Sequence, residues 1–336
     1  MVRKFVTGVF CLAAASVGPA IAAAPETSAK PPIDMTILHA QVILDHLGFS
    51  PGILDGREGR SLVAALKGFQ KTRNLPETGK LDPRTLSGLY PYRGLRPTRK
   101  LALTPDVLAG PFVNPMPKDP MDQAKLPSLA YRGPMEKLAE MYHTTPDVLR
   151  ELNDPAALLR PGTVLTFPNA LPASREYAAD LDPAWRATLG MLNVDANQPQ
   201  GKRIVVDKSD RTLSVYDADD KLVALFSATM GSSHDPLPIG SWKIQGADYN
   251  PKFSYNAALF WDAKNPDKKA LLPAGPNGPV GVVWLDLNKP HYGIHGTSHP
   301  ETIGRAESHG CIRLTNWDVA RLSLMVKPGT VAVFQE

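Results

Sequence analysis

Ser308-His309-Gly310-Cys311-Ile312-Arg313, preceded by Tyr292-Gly293-Ile294-His295-Gly296-Thr297, is the stretch around which the chain of 336 residues is organised. There are two cysteines, Cys11 and Cys311. A lone cysteine is ordinarily a small buried hydrophobe, but histidines on either side of this one give its thiol a candidate base. A thiol is mostly protonated near neutral pH and becomes a strong nucleophile when a histidine takes its proton. His295 precedes Cys311 by 16 residues (311 − 295) and leads as that base, each residue following a short apolar or glycine-bearing segment that suits a strand end. Gly310 lets the backbone turn sharply, so the amides of Gly310 and Cys311 are expected to face a developing oxyanion. Attack on a carbonyl would give a tetrahedral intermediate and then a thioester, which makes acyl transfer the fitting reaction class. His309 and Ser308 are expected to shape this turn. Arg313 either holds a substrate carboxylate or pairs with an acidic neighbour within the protein.

Zinc is the competing chemistry, since His291, His295 and His299 recur every four residues. Gly293, Gly296 and Pro300 interrupt the helix that such a site requires, so no metal and no cofactor is expected. A disulfide is excluded on other grounds. Arg3 and Lys4, the apolar run from Phe5 to Val17 and the small-residue pattern Ala20-Ile21-Ala22 read as a cleavable signal peptide over residues 1–22. Cys11 therefore leaves with the leader. The apolar run falls short of a membrane span and is broken by Gly18-Pro19, and Val9-Phe10 is a poor approach to a lipidated cysteine. The 37 basic residues, less Arg3 and Lys4, leave 35 against 33 acidic ones, a balance that argues against a nucleic-acid partner.

Around the motif, residues 202–336 read as strands. Ile204–Val206, Leu213–Tyr216 and Leu222–Phe226 form a meander, with further β signals at 242–244, 282–287, 312–314 and 331–334. One helix is expected from Asn316 to Val326, capped by Thr315, with Val319, Leu322, Met325 and Val326 facing the core.

Two smaller units precede it. Over residues 36–90, Ile37, Ala40, Leu44 and Leu47, then Leu62, Leu66 and Phe69, predict two helices; Asp82-Pro83 starts a third with Leu86 and Leu89 inward. Residues 91–127 are rich in proline and read as an irregular linker. Over 128–169, a strand near Leu129–Tyr131, helices carrying Leu138–Tyr142 and Val148–Leu152, and a strand at Val164–Phe167 give the order βααβ.

These patterns resemble known families. Gln41, Leu44, Gly48-Phe49, Pro51-Gly52, Asp55-Gly56, Phe69-Gln70, Thr78-Gly79 and Leu81-Asp82 resemble the helical peptidoglycan-binding domain. Tyr131, Tyr142, Leu152-Asn153, Pro161-Gly162 and Leu165–Pro168 look like a LysM module, with Gly133-Pro134-Met135 departing from the usual Gly-Asp-Thr-Leu. Ile294-His295-Gly296-Thr297 and Ser308-His309-Gly310-Cys311-Ile312-Arg313-Leu314 look like the signature of the YkuD-type L,D-transpeptidase catalytic domain. Pro238-Ile239-Gly240 and the Leu272–Pro279 segment agree with it. The resemblance implies a multidomain α+β protein: a mostly β, sandwich-like catalytic domain with one helix, behind a small helical bundle and a βααβ unit. It implies Cys311 as nucleophile and His295 as proton acceptor and donor, with His309 in support. Ser308 and Gly310 then form the oxyanion turn, and Arg313, Gly296 and Thr297 contact substrate.

The implied substrate is a peptidoglycan tetrapeptide stem that loses its terminal D-alanine. The implied acceptor is an amine, on another stem (a 3→3 cross-link) or on an outer-membrane protein, in the periplasm. Carbapenem acylation is implied as well. Water as acceptor, giving a carboxypeptidase or endopeptidase, uses the same residues, the choice falling to loops such as 248–280. A noncatalytic protein that binds wall stems and glycan strands is the third reading, opposed by the complete His295/Cys311 set.

Overall fold

A computed structural model describes residues 30–259 and 265–336, so the leader expected over 1–22 lies outside the described residues. Capping begins the first helices. Asp34 accepts from the amides of Thr36 and Ile37 at the start of α1 (Met35–His46), α2 spans Arg60–Thr72, and Asp82 accepts from Thr85 N at the start of α3 (Pro83–Leu89). Ala40, Ile43, Leu44, Leu62, Ala65, Leu66, Phe69 and Leu89 close this helical unit around an apolar core. Leu86 departs from expectation. It is exposed, and Thr85 takes the inward place because its hydroxyl accepts from the buried Gln70 amide at 2.8 Å.

The segment 91–127, expected to be irregular, contains β1 (Thr98–Ala102), α4 (Pro105–Leu108) and α5 (Pro120–Gln123). There follow α6 (Pro134–Met141), α7 (Pro146–Leu152) and β2 (Val164–Pro168). The partner of β2 is β1, antiparallel from Thr98↔Pro168 to Ala102↔Val164. No strand forms at Leu129–Tyr131. Its backbone serves a distant loop instead: Leu129 N donates to Ala274 O (2.9 Å) and Leu129 O accepts from Asn277 N (3.0 Å). A further helix that the periodicity reading left out, α8 (Pro183–Met191), carries the same Asp-Pro start as α3 and buries Trp185 and Leu189.

The remaining chain is mostly β. It comprises β3 (Arg203–Asp207), β4 (Thr212–Tyr216), β5 (Leu222–Ser227), β6 (Thr229–Met230), β7 (Gly240–Tyr249), β8 (Phe253–Asn256), β9 (Lys269–Leu272), β10 (Val283–Leu287), β11 (Gly293–His295), β12 (Ile312–Arg313), α9 (Asn316–Met325) and β13 (Val331–Gln335). Nine strands join in the order β5-β4-β3-β13-β7-β10-β11-β12-β6, while β8 and β9 pair as a separate hairpin. The long β7 divides the sheet into two sandwich-like halves: Gly240–Lys243 pair with β13 and Ile244–Tyr249 with β10. Inward positions alternate along the strands (Ile204 and Val206; Val283, Leu285 and Leu287; Ala332 and Phe334) and share one core with Trp185 and α9. The edge strand β5 is covered by the helical unit, since Ser50 N donates to Leu225 O (2.8 Å) and Leu225 N to Gly48 O (2.9 Å).

Helix α9 is capped as expected, Thr315 Oγ1 accepting from Asp318 N at 3.1 Å. It is not half-exposed, however. Nine of its ten residues are buried, polar Asn316, Asp318 and Arg321 included, because the preceding units cover its other side. Asp318 accepts from Ser50 Oγ (2.9 Å) and Arg321 donates to Asp45 Oδ1 (3.0 Å), both on the helical unit. Asn316 donates to Glu140 Oε1 on α6 (2.8 Å), and Trp317 stacks on His143 at 5.2 Å between ring centroids. Residues Pro32–Glu336 accordingly form one compact unit.

Candidate active site

Strands β11 and β12 pair in parallel, Ile294 opposite Ile312 and His295 opposite Arg313. Opposed residues share a face and faces alternate along each strand. Ile294 and Ile312 are fully buried in the core. His295 and Arg313, and one position further out Gly293 and Cys311, therefore occupy the opposite face. With a rise of about 3.3 Å per residue and strands about 4.8 Å apart, Cys311 and His295 are diagonal neighbours roughly 8 Å apart at Cα on the same face. Opposite Cys311, Gly293 contributes no side chain to fill the gap.

The imidazole is tightly held. His295 is 4% exposed, stacks on Trp284 of β10 at 5.5 Å between centroids, and has Nδ1 2.7 Å from the Gly296 carbonyl oxygen. A carbonyl only accepts, so Nδ1 carries the proton and Nε2 keeps its lone pair. Burial, with the positive Arg313 nearby, pushes the imidazole pKa down to about 3, the Gly296 bond opposing. Cys311 is partly exposed. Its sulfur lies 3.7 Å from His291 O. Burial pushes the thiol up, opposed by the Gly293 amide and by Arg313. At neutral pH this face thus carries a neutral thiol and a neutral imidazole.

The turn before the thiol is pinned from within. Ser308 Oγ donates to Cys311 O (2.6 Å) and Ser308 N to Gly231 O (3.0 Å). Gly310 has φ +96°, and a Cβ there would stand 2.8 Å from the Tyr292 ring. Half-buried His309 sits in this turn. Arg313 contacts the Glu307 carbonyl at 3.4 Å. Thr297 Oγ1 accepts from His299 N at 3.1 Å, while His299 pairs with Glu301 and His291 occupies a left-handed turn position (φ +67°).

Three residues that sequence reasoning did not assign to the site belong to it: Trp284, Tyr292 and Asn316. A Cβ at Gly293 would lie 2.5–2.8 Å from the Trp284 indole. Gly293→Ala is therefore expected to push the indole off His295 and to cost about 1–3 kcal/mol, as overpacking typically does. Thermal unfolding and the near-ultraviolet circular dichroism of tryptophan check it. Asn316 Oδ1 accepts from Val282 N (3.2 Å) and touches Gly281 and Gly296, where any Cβ would fall 1.9 and 2.1 Å from it.

Comparison with known proteins gives this face a family. Residues 201–334 match the family described as the L,D-transpeptidase catalytic domain (YkuD), and residues 36–89 match the one described as "Putative peptidoglycan binding domain". A Bacillus licheniformis protein named "Putative L,D-transpeptidase YkuD" is 36% identical over 128 residues, 38% of this chain and 62% of its own. Its Bacillus subtilis namesake is 56% identical over 55 residues, 16% of this chain and 34% of its own. The matches thus span less than two thirds of either relative. Among solved structures, L,D-transpeptidase 3 of Mycobacterium tuberculosis in complex with a faropenem-derived adduct aligns at 19% identity and a TM-score of 0.33, over 40% of this chain and 59% of that one. The chain carries a YkuD-type L,D-transpeptidase catalytic domain behind an N-terminal peptidoglycan-binding domain.

Proposed function

We propose that the protein is a cysteine acyltransferase of the cell wall, with Cys311 as nucleophile and His295 as its base. The observation that carries this reading is the Nδ1–H to Gly296 carbonyl bond, which leaves Nε2 as an acceptor on the face that holds Cys311. His295 takes the thiol proton as sulfur bonds to the carbonyl carbon of the third residue of a tetrapeptide stem. The amides of Gly310 and Cys311 stabilise the oxyanion, with Ser308 fixing their turn and His309 in support. Collapse breaks the C–N bond, and His295 returns the proton to the departing D-alanine amine. An incoming amine then reverses these steps on the thioester. Arg313, Gly296 and Thr297 contact the stem, and Arg313 is available for a substrate carboxylate because its own contact is a backbone oxygen.

Peptidoglycan is the substrate because both matched families are wall domains. The leader over 1–22 would deliver the protein to the periplasm, consistent with a wall-associated family, and among the described residues no helix is long and apolar enough to cross a membrane. The unit over 128–169 is read as LysM-like: α6, α7 and β2 follow in the expected order, while the strand that pairs with β2 is β1, outside those bounds, in place of Leu129–Tyr131, and Asn153 ties α7 to β2 through Thr166 N (2.7 Å) and Thr166 O (2.8 Å). This unit and the helical one would hold glycan strands while the acceptor, another stem or an outer-membrane protein, is joined.

Incubating the protein with disaccharide-tetrapeptide and weighing the products tests the reading. Dimers lighter than two monomers by one D-alanine are expected. Tripeptide monomer alone would move the assignment to hydrolysis, and unchanged substrate would overturn it. Acylation by a carbapenem, seen as a mass increment on the intact protein, is expected alongside.

A further inference from the structure

The carbonyl that fixes His295 is itself placed by a chain of contacts that leaves the catalytic domain. Gly296 packs against Asn316 Oδ1 so closely that a Cβ there would lie 2.1 Å from it, and its neighbour Gly281 is as tightly placed, at 1.9 Å. Gly296 N reaches Val280 O at 3.1 Å, so the backbone on both sides of this contact is committed. The amide of Asn316 is therefore the wedge that spaces these two glycines, and its orientation matters. Oδ1 faces Val282 N, while Nδ2 donates to Pro276 O (3.1 Å) and, more closely, to Glu140 Oε1 (2.8 Å).

Glu140 stands on α6 of the LysM-like unit, 7% exposed, and is held in turn by the Tyr131 hydroxyl, which donates to its Oε2 at 2.5 Å. Burial pushes its carboxyl up to about 7, opposed by the bonds from Tyr131 and Asn316. A carboxyl taken out of water into a protein interior and given two partners on two segments is an expensive feature for mere packing.

We propose that Glu140 is a positioning residue for the Cys311–His295 pair, acting through Asn316 on the Gly296 carbonyl that sets the His295 tautomer. The proposal rests on the reading of His295 as the base. It makes the preceding unit a structural part of the active site as well as a wall-binding accessory: without Glu140, Asn316 loses the shorter of its two Nδ2 bonds and keeps only Pro276 O and Val282 N, the Gly281–Gly296 contact relaxes, and the carbonyl turns away from Nδ1.

Protein labelled with ¹⁵N-histidine reports the His295 tautomer by NMR with no substrate present, which separates this proposal from the transpeptidase assignment. Wild type is expected to show the Nδ1–H form alone. Glu140→Ala is expected to show a mixture of tautomers and, with a carbapenem, an acylation rate at least tenfold lower at saturation with little change in the half-saturating concentration. Glu140→Gln should restore both, since its carbonyl accepts from Asn316 and its amide donates to the Tyr131 oxygen. A Glu140→Ala protein that keeps a single Nδ1–H tautomer overturns the proposal, whatever its rate. Should that variant fail to fold, Glu140→Met, which keeps about the side-chain volume but offers Asn316 no acceptor, is read the same way: a mixed tautomer supports the proposal and an unchanged one overturns it.

Discussion

Cys311→Ala is expected to abolish formation of the acyl-enzyme, and His295→Ala to slow it by about 10²- to 10⁴-fold, the usual contribution of a positioned general base. The structure adds a pH signature that separates this pair from a thiolate–imidazolium pair. Burial, aided by Arg313, holds the His295 pKa down to about 3, and burial pushes the Cys311 thiol up. The base is therefore lost only as pH falls through about 3, and no acidic limb is expected near 6.5, where an unperturbed histidine titrates. Uncatalysed alkylation of Cys311 should climb only at a pH above the ordinary thiol range, because it depends on thiolate that the fold disfavours. The carbapenem acylation rate and the iodoacetamide alkylation rate, each followed against pH by intact mass, check the two halves. An acidic limb at pH 6–7, or fast alkylation at neutral pH, would show that the resting pair is ionic.

The candidate site was legible in the sequence because the proposed reacting groups are marked by residue type rather than by distance. Cys311, His295 and the turn Ser308–Gly310 stand on two short strands whose alternation is visible in Ile294 and Ile312, and the register merely brings them together. What was not legible depends on tertiary contacts that no local pattern announces. Trp284 reads as a strand residue, and nothing local announces that its indole lies over His295. Leu129–Tyr131 has the composition of a strand, yet its backbone bonds went to Ala274 and Asn277, while β2 found its partner in Thr98–Ala102. Propensity cannot decide between two backbones competing for one set of bonds, because that outcome is set by tertiary packing. The periodicity of α9 gave its apolar face correctly but could not show that Asn316, Asp318 and Arg321 on the other side are buried too. Charged and amide residues at helical spacing read as a solvated face unless their partners are known, and here the partners are Glu140, Ser50 and Asp45.

Those same partners predict the largest loss of stability. Asp45 of α1 is buried and serves two units at once. Its carboxylate accepts from Arg321 Nη1 of α9 (3.0 Å) and lies 3.0 Å from His143 Nδ1, just beyond α6, while its backbone oxygen accepts from Arg321 Nη2 (2.8 Å). His143 in turn donates Nε2–H to Leu192 O (2.8 Å). Burial alone would raise the Asp45 pKa, but His143 and Arg321 outweigh it and bring it down to about 2. A depressed folded-state value means that the carboxylate stabilises the fold at every pH above its unfolded value near 3.9, and that this stability is lost as pH falls through about 2. Asp45→Ala would leave a guanidinium and an imidazole buried without their common acceptor, for which a cost of about 3–5 kcal/mol is expected at neutral pH. Asp45→Asn keeps the volume and one acceptor oxygen and should lose less. Because the carboxylate joins all three segments, the loss should appear as an earlier single transition of Pro32–Glu336, the compact unit, and not as the early melting of one module. Urea denaturation followed by tryptophan fluorescence and by far-ultraviolet circular dichroism tests this. Coincident, shifted curves are expected, whereas a loss below about 1 kcal/mol would mean that the buried charges find other partners, and two separated transitions would mean that the modules fold independently.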